Sequence, residues 1–178
     1  MNAEAEYRCL IMFARFPEQG QVKSRLAKDL GAEAATNLYR CFVEDLLERF
    51  SKKDYRLLIA FYPAEKEREM REMLGDEFSY SPQTDGDLGE RMKLSFLRCF
   101  SEGTRSVVLI GSDIPDLPAR IVDEAFRALD KYGAAIGLPS SRAANQSTAP
   151  FPAAEKRRDA TWHGSGPVAR EAGSRAHG

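Results

Sequence analysis

The sequence predicts an α/β fold, a mostly parallel sheet with helices on both faces, on three observations. Residues 7–14 (YRCLIMFA), 55–62 (YRLLIAFY) and 106–110 (SVVLI) are near-continuous apolar runs, the pattern of strands covered on both sides. Segments with helical apolar spacing alternate with them. At 178 residues the chain has the length of one domain, on a soft prior of roughly 150 residues. Crossovers in such a sheet are expected to be right-handed, with ligands held outside the carboxyl ends of the strands.

The first strand runs into a loop at residues 15–22 containing Pro17 and Gly20. A helical region follows, interrupted by Gly31, with Leu38, Phe42, Leu46 and Phe50 at four-residue spacing as its inward face,. The second strand ends at Pro63. Residues 64–74 read as a charged helix with Gly75 as its stop,. Residues 78–81 suggest a short strand. Residues 88–100 form a helix with Leu88, Met92, Phe96 and Phe100 along one face. After the third core strand, residues 118–132 predict a helix with Ile121, Ala125 and either Ala128 or Leu129 facing inward, and residues 134–136 begin another strand.

Composition excludes several classes. The net charge of −1, from 26 Lys+Arg against 27 Asp+Glu, lacks the basic excess of a general nucleic-acid binder,. No apolar stretch approaches the roughly 18 residues of a membrane span, and the acidic start Met1-Asn-Ala-Glu-Ala-Glu6 is unlike a secretory signal,. A cytoplasmic location is therefore expected. Cys9, Cys41 and Cys99 are widely spaced in apolar segments without a Cys-x-x-Cys pair, and read as buried free thiols,.

Three loops at the expected carboxyl edge carry chemistry. In Phe16-Pro-Glu-Gln-Gly20-Gln-Val-Lys23-Ser-Arg25-Leu26, Gly20 frees the backbone to approach a ligand,. Lys23 and Arg25 follow near a helix start, where N–H groups, helix dipole and cations can together bind an anion. The alternative is a solvated basic turn. Val22, standing where glycine must precede the lysine, excludes a Walker A loop,. In Gln83-Thr-Asp85-Gly86-Asp87-Leu88-Gly89-Glu90-Arg91-Met92, Asp87 can cap a helix with Glu90 as box partner,. That leaves Gly89, costing about 1 kcal/mol against alanine inside a helix, to be explained by close approach of a ligand. In Gly111-Ser-Asp113-Ile-Pro-Asp116-Leu-Pro118, Asp113 is placed at a strand end to hold a divalent metal against phosphate oxygens, while Asp116 is expected to cap the helix opened by Pro118,. The only histidines, His163 and His177, lie far along the chain, which argues against a Ser-His-Asp triad, and no Gly-x-Gly-x-x-Gly follows the first strand,.

In order, Phe13-Ala-Arg-x-Pro17-x-x-Gly20-x-Val-Lys23-Ser-Arg25-Leu26, Gly86-Asp-Leu-Gly-Glu-Arg-Met92 and Val108-Leu-Ile-Gly-Ser-Asp-Ile-Pro-Asp-Leu117 resemble a family of bacterial GT-A-type nucleotide-diphospho-sugar transferases, over about residues 7–137. The Lys-Ser-Arg-Leu element is also similar to the phosphate-gripping segment of 2-phospholactate guanylyltransferase. The resemblance implies a Rossmann-like nucleotide half with Lys23 and Arg25 on the phosphates. It further implies Asp87 and Gly89 at the base and ribose, and Asp113 on Mg²⁺ or Mn²⁺. Its substrate would be a nucleotide-diphospho-sugar.

The match stops at Gly137, where the family continues with an Asp-Gly-Gly-Tyr-Tyr-like segment that brings a further metal-binding carboxylate and much of the acceptor site. Residues 138–178 instead hold 22 Ala, Gly, Pro and Ser among 41 residues, with Leu138, Phe151, Trp162 and Val168 as aperiodic anchors. Such a composition predicts a disordered tail with at most a short helix at 153–159. The expectation is a truncated domain at 1–137, by truncation or a reading-frame shift after codon 137, with an uncovered sheet edge and doubtful catalysis. Three functions stand at this point. They are a metal-dependent glycosyltransferase using a nucleotide-diphospho-sugar, a nucleotidyltransferase using a nucleoside triphosphate, and a non-catalytic nucleotide-binding module.

Overall fold

The computed structural model describes residues 7–132. Four parallel strands form one sheet in the order β3-β2-β1-β4. Strand β1 (Arg8–Arg15) leads through α1 (Ser24–Leu30) and α2 (Ala32–Phe50) to β2 (Arg56–Tyr62). A 3₁₀ turn (Ala64–Lys66) and α3 (Glu67–Leu74) connect to β3 (Ser79–Pro82). Then α4 (Leu88–Ser101) crosses to β4 (Ser106–Gly111), followed by α5 (Ala119–Lys131).

The apolar runs become central strands because both of their faces are covered. On one face Leu10, Met12, Ile59 and Phe61 pack with Tyr39, Val43, Leu46 and Phe50 of α2, Met70 of α3, and Val122 and Phe126 of α5. On the other, Cys9, Ile11, Leu58, Ala60 and Val107 pack with Cys99 and Phe96 of α4. Alternate residues of β1 thus serve two cores, and fully burying a leucine, isoleucine or phenylalanine is worth about 1.5–3 kcal/mol each. The sheet grows from β1 to β2 to β3, and α4 then carries the chain back to the far side of β1. The change of direction comes with a change of face, as a single crossover hand requires.

Glycines terminate helices as the sequence suggested. Gly31 (φ 84°) separates α1 from α2 and Gly75 (φ 101°) ends α3.

The helix phases differ from expectation in three places. On α2 the buried face runs through Ala35, Tyr39 and Val43 into Leu46 and Phe50, with Leu38 and Phe42 only half-buried. Phe42 is instead the platform for the Lys23 ammonium, 5.1 Å from its ring centroid. On α4 the inward line is Met92, Phe96 and Cys99, so Leu88 and Phe100 are exposed. On α5, Val122 and Phe126 are buried rather than Ile121 and Ala125. Phe126 packs against Tyr55 at 5.2 Å between ring centroids, and an aromatic with more area to bury sets the phase against Ile121 and Ala125.

Cys9 and Cys99 are buried as expected, but Cys41 is exposed on the outer side of α2. Its apolar sequence neighbours lie on the other side of the helix. The strand expected at 134–136, the helix at 153–159 and the tail lie outside the described residues.

Candidate functional site

Register places the loops on one edge. Arg15 pairs with Tyr62, Phe13 with Gly111 and Phe61 with Pro82, so the segments after β1, β3 and β4 leave the sheet at the carboxyl ends of parallel strands. The chain reverses its order of strands between β1 and β4. In open α/β sheets that switch point leaves a crevice for ligands.

The loop after β1 turns through hydrogen bonds from Glu18 N to Phe16 O and from Gln21 N to Glu18 O. Gly20 sits at φ 76° with open space around it, a conformation that glycine adopts without strain,. Val22 is driven into the core, 5% exposed, and anchors the loop. Lys23 then takes a left-handed conformation (φ 48°, ψ 43°) at the start of α1 and makes no side-chain cap. It is the one non-glycine residue with positive φ among those described, a conformation costing of order 1–3 kcal/mol. Its side chain passes over Tyr39 and Phe42 and brings Nζ to 2.7 Å from Asp113 Oδ1.

Tyr39 ties the two halves of this crevice together. Its hydroxyl accepts from the Arg15 backbone N–H at 2.9 Å and shares a hydrogen bond with Ser112 Oγ at 2.7 Å. Burial pushes its pKa up, against the hydrogen bonds from Ser112 and the Arg15 backbone. Ser112 N donates to Phe13 O, and Arg49 of α2 donates to the carbonyls of Pro115 and Leu117. The loop bearing Asp113 is therefore held from below by β1 and α2, while the carboxylate itself is 77% exposed.

On the other side of β1, Asp87 caps α4, accepting from Glu90 N at 2.9 Å. The reciprocal half of the box does not form: Glu90 reaches toward Gly86 instead. Gly89 has a local reason, since a Cβ there would stand 3.2 Å from Asp87 Oδ1. Arg91 donates from Nε to Gly86 O and lies 4.4 Å from the Tyr62 ring centroid, with Arg15 at 5.3 Å from the same ring. Two guanidiniums on one tyrosine thus join the ends of β1 and β2 to the start of α4.

Lys23 and Asp113 are in contact, and Asp87 and Gly89 lie together at the start of α4. Arg25 is exposed on α1 and makes no ion pair among the described residues. Asp116 does not cap α5. The N-cap position is Pro118, without a side-chain bond, and Asp116 is exposed within a turn closed by Leu117 N to Ile114 O. Sequence reasoning assigned no role to Arg15, Tyr39, Tyr62, Arg91 and Ser112. A cation ending an apolar strand, and a tyrosine inside a helix's apolar face, were the available signals.

Among the described residues no three His, Cys, Asp or Glu side chains converge as a metal cage. Asp113 alone fits a different arrangement, in which a magnesium-sized ion is bound through one or two carboxylates plus substrate phosphates. A recess of about 400 Å³ lies between the Phe16–Pro17 turn, α2 and α3. With Glu69 and Glu72 facing Arg40 there, its charge does not suit an anion, and the crevice at Lys23 is the better candidate.

The arrangement is that of a Rossmann-like nucleotide-diphospho-sugar transferase fold. The chain belongs to the family described as "Uncharacterized protein conserved in bacteria (DUF2064)", whose model matches residues 46–140. It is similar to a solved structure from Desulfovibrio desulfuricans G20, described as a "putative nucleotide-diphospho-sugar transferase", at 37% identity and a TM-score of 0.69. The match covers 71% of this chain and spans 56% of that protein. No curated protein matches the chain. No helix among the described residues is long and apolar enough to cross a membrane.

Proposed function

We propose that the chain is the nucleotide-binding part of a transferase that uses a nucleotide-diphospho-sugar, with the donor's pyrophosphate in the crevice between β1 and β4. The observation that carries this reading is the Lys23–Asp113 pair across the switch point. In sugar transfer, negative charge grows on the departing nucleoside diphosphate, and fixed positive charge in a preorganised site stabilises it. Lys23, 18% exposed on its aromatic shelf, is such a charge, and Arg25 supplies a second from α1. Gly20 leaves the loop backbone accessible to the phosphates. Asp87 and Gly89 border the base and ribose from the start of α4, and the Arg15–Tyr62–Arg91 stack orients that side.

Asp113 is the residue that would hold Mg²⁺ or Mn²⁺, which when bound with the phosphates would neutralise the leaving group. The carboxylate would then exchange its ammonium partner for the ion, releasing Lys23 toward phosphate. A glycosyl acceptor completes this reading.

The experiment is thermal stabilisation by a panel of nucleoside diphosphate-sugars with Mn²⁺, followed by assay of released nucleoside diphosphate or pyrophosphate. Stabilisation by a nucleoside diphosphate-sugar that is lost in Asp113→Ala, with diphosphate release, supports the reading. Preference for a nucleoside triphosphate with pyrophosphate release supports nucleotidyl transfer, as the Lys-Ser-Arg-Leu element suggests. Binding without either product leaves a nucleotide-binding module. Absence of any shift in folded protein overturns the site.

A further inference from the structure

At the opposite edge of the sheet from this crevice, two thiols meet. Cys9, at the start of β1, and Cys99, in the last turn of α4, place their sulfurs 3.8 Å apart, and neither residue has exposed surface. Arg56 pairs in register with Cys9 from β2, and its guanidinium reaches Cys99 Sγ at 3.8 Å and Glu102 Oε2 at 2.8 Å. A cation against a sulfur, inside a cluster otherwise made of Ile11, Leu58, Ala60 and Val107, is not what packing alone requires. A free cysteine in such a place would ordinarily serve as a small hydrophobe.

We propose that Cys9 and Cys99 are a redox-active dithiol that closes to a disulfide on exposure to a hydroperoxide, with Cys99 the attacking sulfur and Cys9 the resolving one. The division of roles follows from position. Arg56, 3.8 Å from Cys99 Sγ, stabilises a thiolate there, and once Cys99 is ionised the pair's remaining proton is the one on Cys9. The Cys99 thiol is lowered, first by the hydrogen bond with Cys9 and then, against burial, by the Arg56 charge, while Cys9 is raised. Low-pKa thiols beside a cation are the ones that oxidise selectively.

The chemistry balances in two steps. The Cys99 thiolate attacks one peroxide oxygen, the O–O bond breaks, and the departing hydroxide takes up a proton as water, leaving a sulfenic acid on Cys99. The Cys9 sulfur, losing its proton, then attacks the Cys99 sulfur, the S–O bond breaks, and a second water leaves. Two thiols are oxidised and one peroxide is reduced to two waters. The sulfurs have to close from 3.8 Å to about 2.05 Å,. The thiols lie beside the end of α4, where Glu102 and Arg56 are part-exposed and Gly103 (φ 89°) follows. Helix ends open locally at low cost, which gives a small polar oxidant its route. The product ties β1 to α4, the two elements whose far ends carry Arg15 and Asp87.

The test uses Cys41→Ser, which removes the exposed third thiol, treated with hydrogen peroxide under native conditions and followed by intact mass, peptide mapping and circular dichroism. The expected result is a loss of two hydrogens and a Cys9–Cys99 cross-linked peptide. The native spectrum should be unchanged, dithiothreitol should reverse the reaction, and the oxidised form should unfold at a higher midpoint. Cys9→Ala in the same background is expected to stop at a sulfenic acid on Cys99 that dimedone traps. Oxygen addition without the cross-link in Cys41→Ser, no reaction at all, or a cross-link that forms only in urea-unfolded protein would each overturn the proposal.

Discussion

Lys23 Nζ stands 2.7 Å from Asp113 Oδ1, joining the loop after β1 to the loop after β4, 90 residues apart in sequence. The pair is uneven: the ammonium is mostly covered and the carboxylate mostly in water. Truncating Lys23 therefore removes the buried member and the reason for its left-handed backbone. Lys23→Gly should relieve the backbone strain while deleting the charge, and Lys23→Ala should delete the charge and keep the strain. Thermal midpoints are expected to rank Lys23→Gly above Lys23→Ala, and both variants should lose stabilisation by a nucleoside diphosphate. Equal midpoints would show that the φ of 48° carries no cost.

Tyr39→Phe is expected to lower stability by about 1–3 kcal/mol. The hydroxyl satisfies the Arg15 N–H and the buried Ser112 side chain, and phenylalanine leaves both without that partner. Urea unfolding should show a lower midpoint at an unchanged slope. Double substitution with Ser112→Ala should cost less than the sum of the two changes.

Gly89→Ala pits helix propensity against a contact. Alanine gains about 1 kcal/mol in a helix interior, but its Cβ would press on Asp87 Oδ1 at 3.2 Å, disturbing a cap worth about 0.5–2 kcal/mol,. In Asp87→Ala that pressure is gone. The alanine at 89 should stabilise the Asp87→Ala protein more than the native one. A double-mutant cycle with zero coupling would show that the contact does not restrict this position.

Glu102 bridges Arg56 of β2 and Arg98 of α4. The hydrogen bond from Arg56, with help from Arg98, holds its carboxyl below the ordinary glutamate range. The group binds its proton less readily folded than unfolded. Its contribution is thus complete above the ordinary value of about 4.3 and fades as pH falls through the folded value. Because the pair is part-exposed, the effect is no more than about 1 kcal/mol. Glu102→Gln should lower the unfolding midpoint at pH 7 and converge with the native protein in strong acid.

Tyr55 carries a buried hydroxyl without a partner among the described residues, its ring packed against Phe126. Tyr55→Phe keeps that packing and deletes the unmet group, and is expected to raise the midpoint. A fall in the midpoint would mean that the hydroxyl has a partner in the folded protein.

The strands were legible because burial on both faces writes an unbroken apolar run into the sequence, as in Cys9–Met12 and Leu57–Phe61. Helix boundaries followed from Gly31 and Gly75. Helix phase was less legible, since α4 has more apolar residues than its inward face uses: Leu88, Leu94, Leu97 and Phe100 are exposed. The charged members of the site announced themselves by position after strands. Tyr39 did not, because one residue cannot show whether its ring or its hydroxyl decides its place. Nor did the Arg15–Tyr62–Arg91 stack, which depends on three segments meeting. Asp116 does not cap the helix as expected, because an Asp two residues ahead of Pro118 suits both a cap and an exposed turn.

The place of β1 in the middle of the sheet has a consequence during synthesis. It is synthesised before the other three strands, yet its two neighbours are β2, some fifty residues later, and β4, about a hundred residues later. All its pairings are therefore non-local, and closing such long loops is slow. Until Ser106–Gly111 has emerged, this central strand has one bare side. At translation speeds of about 5–20 residues per second, that exposure lasts several seconds. The nascent chain is then a natural client for a chaperone that binds extended apolar segments.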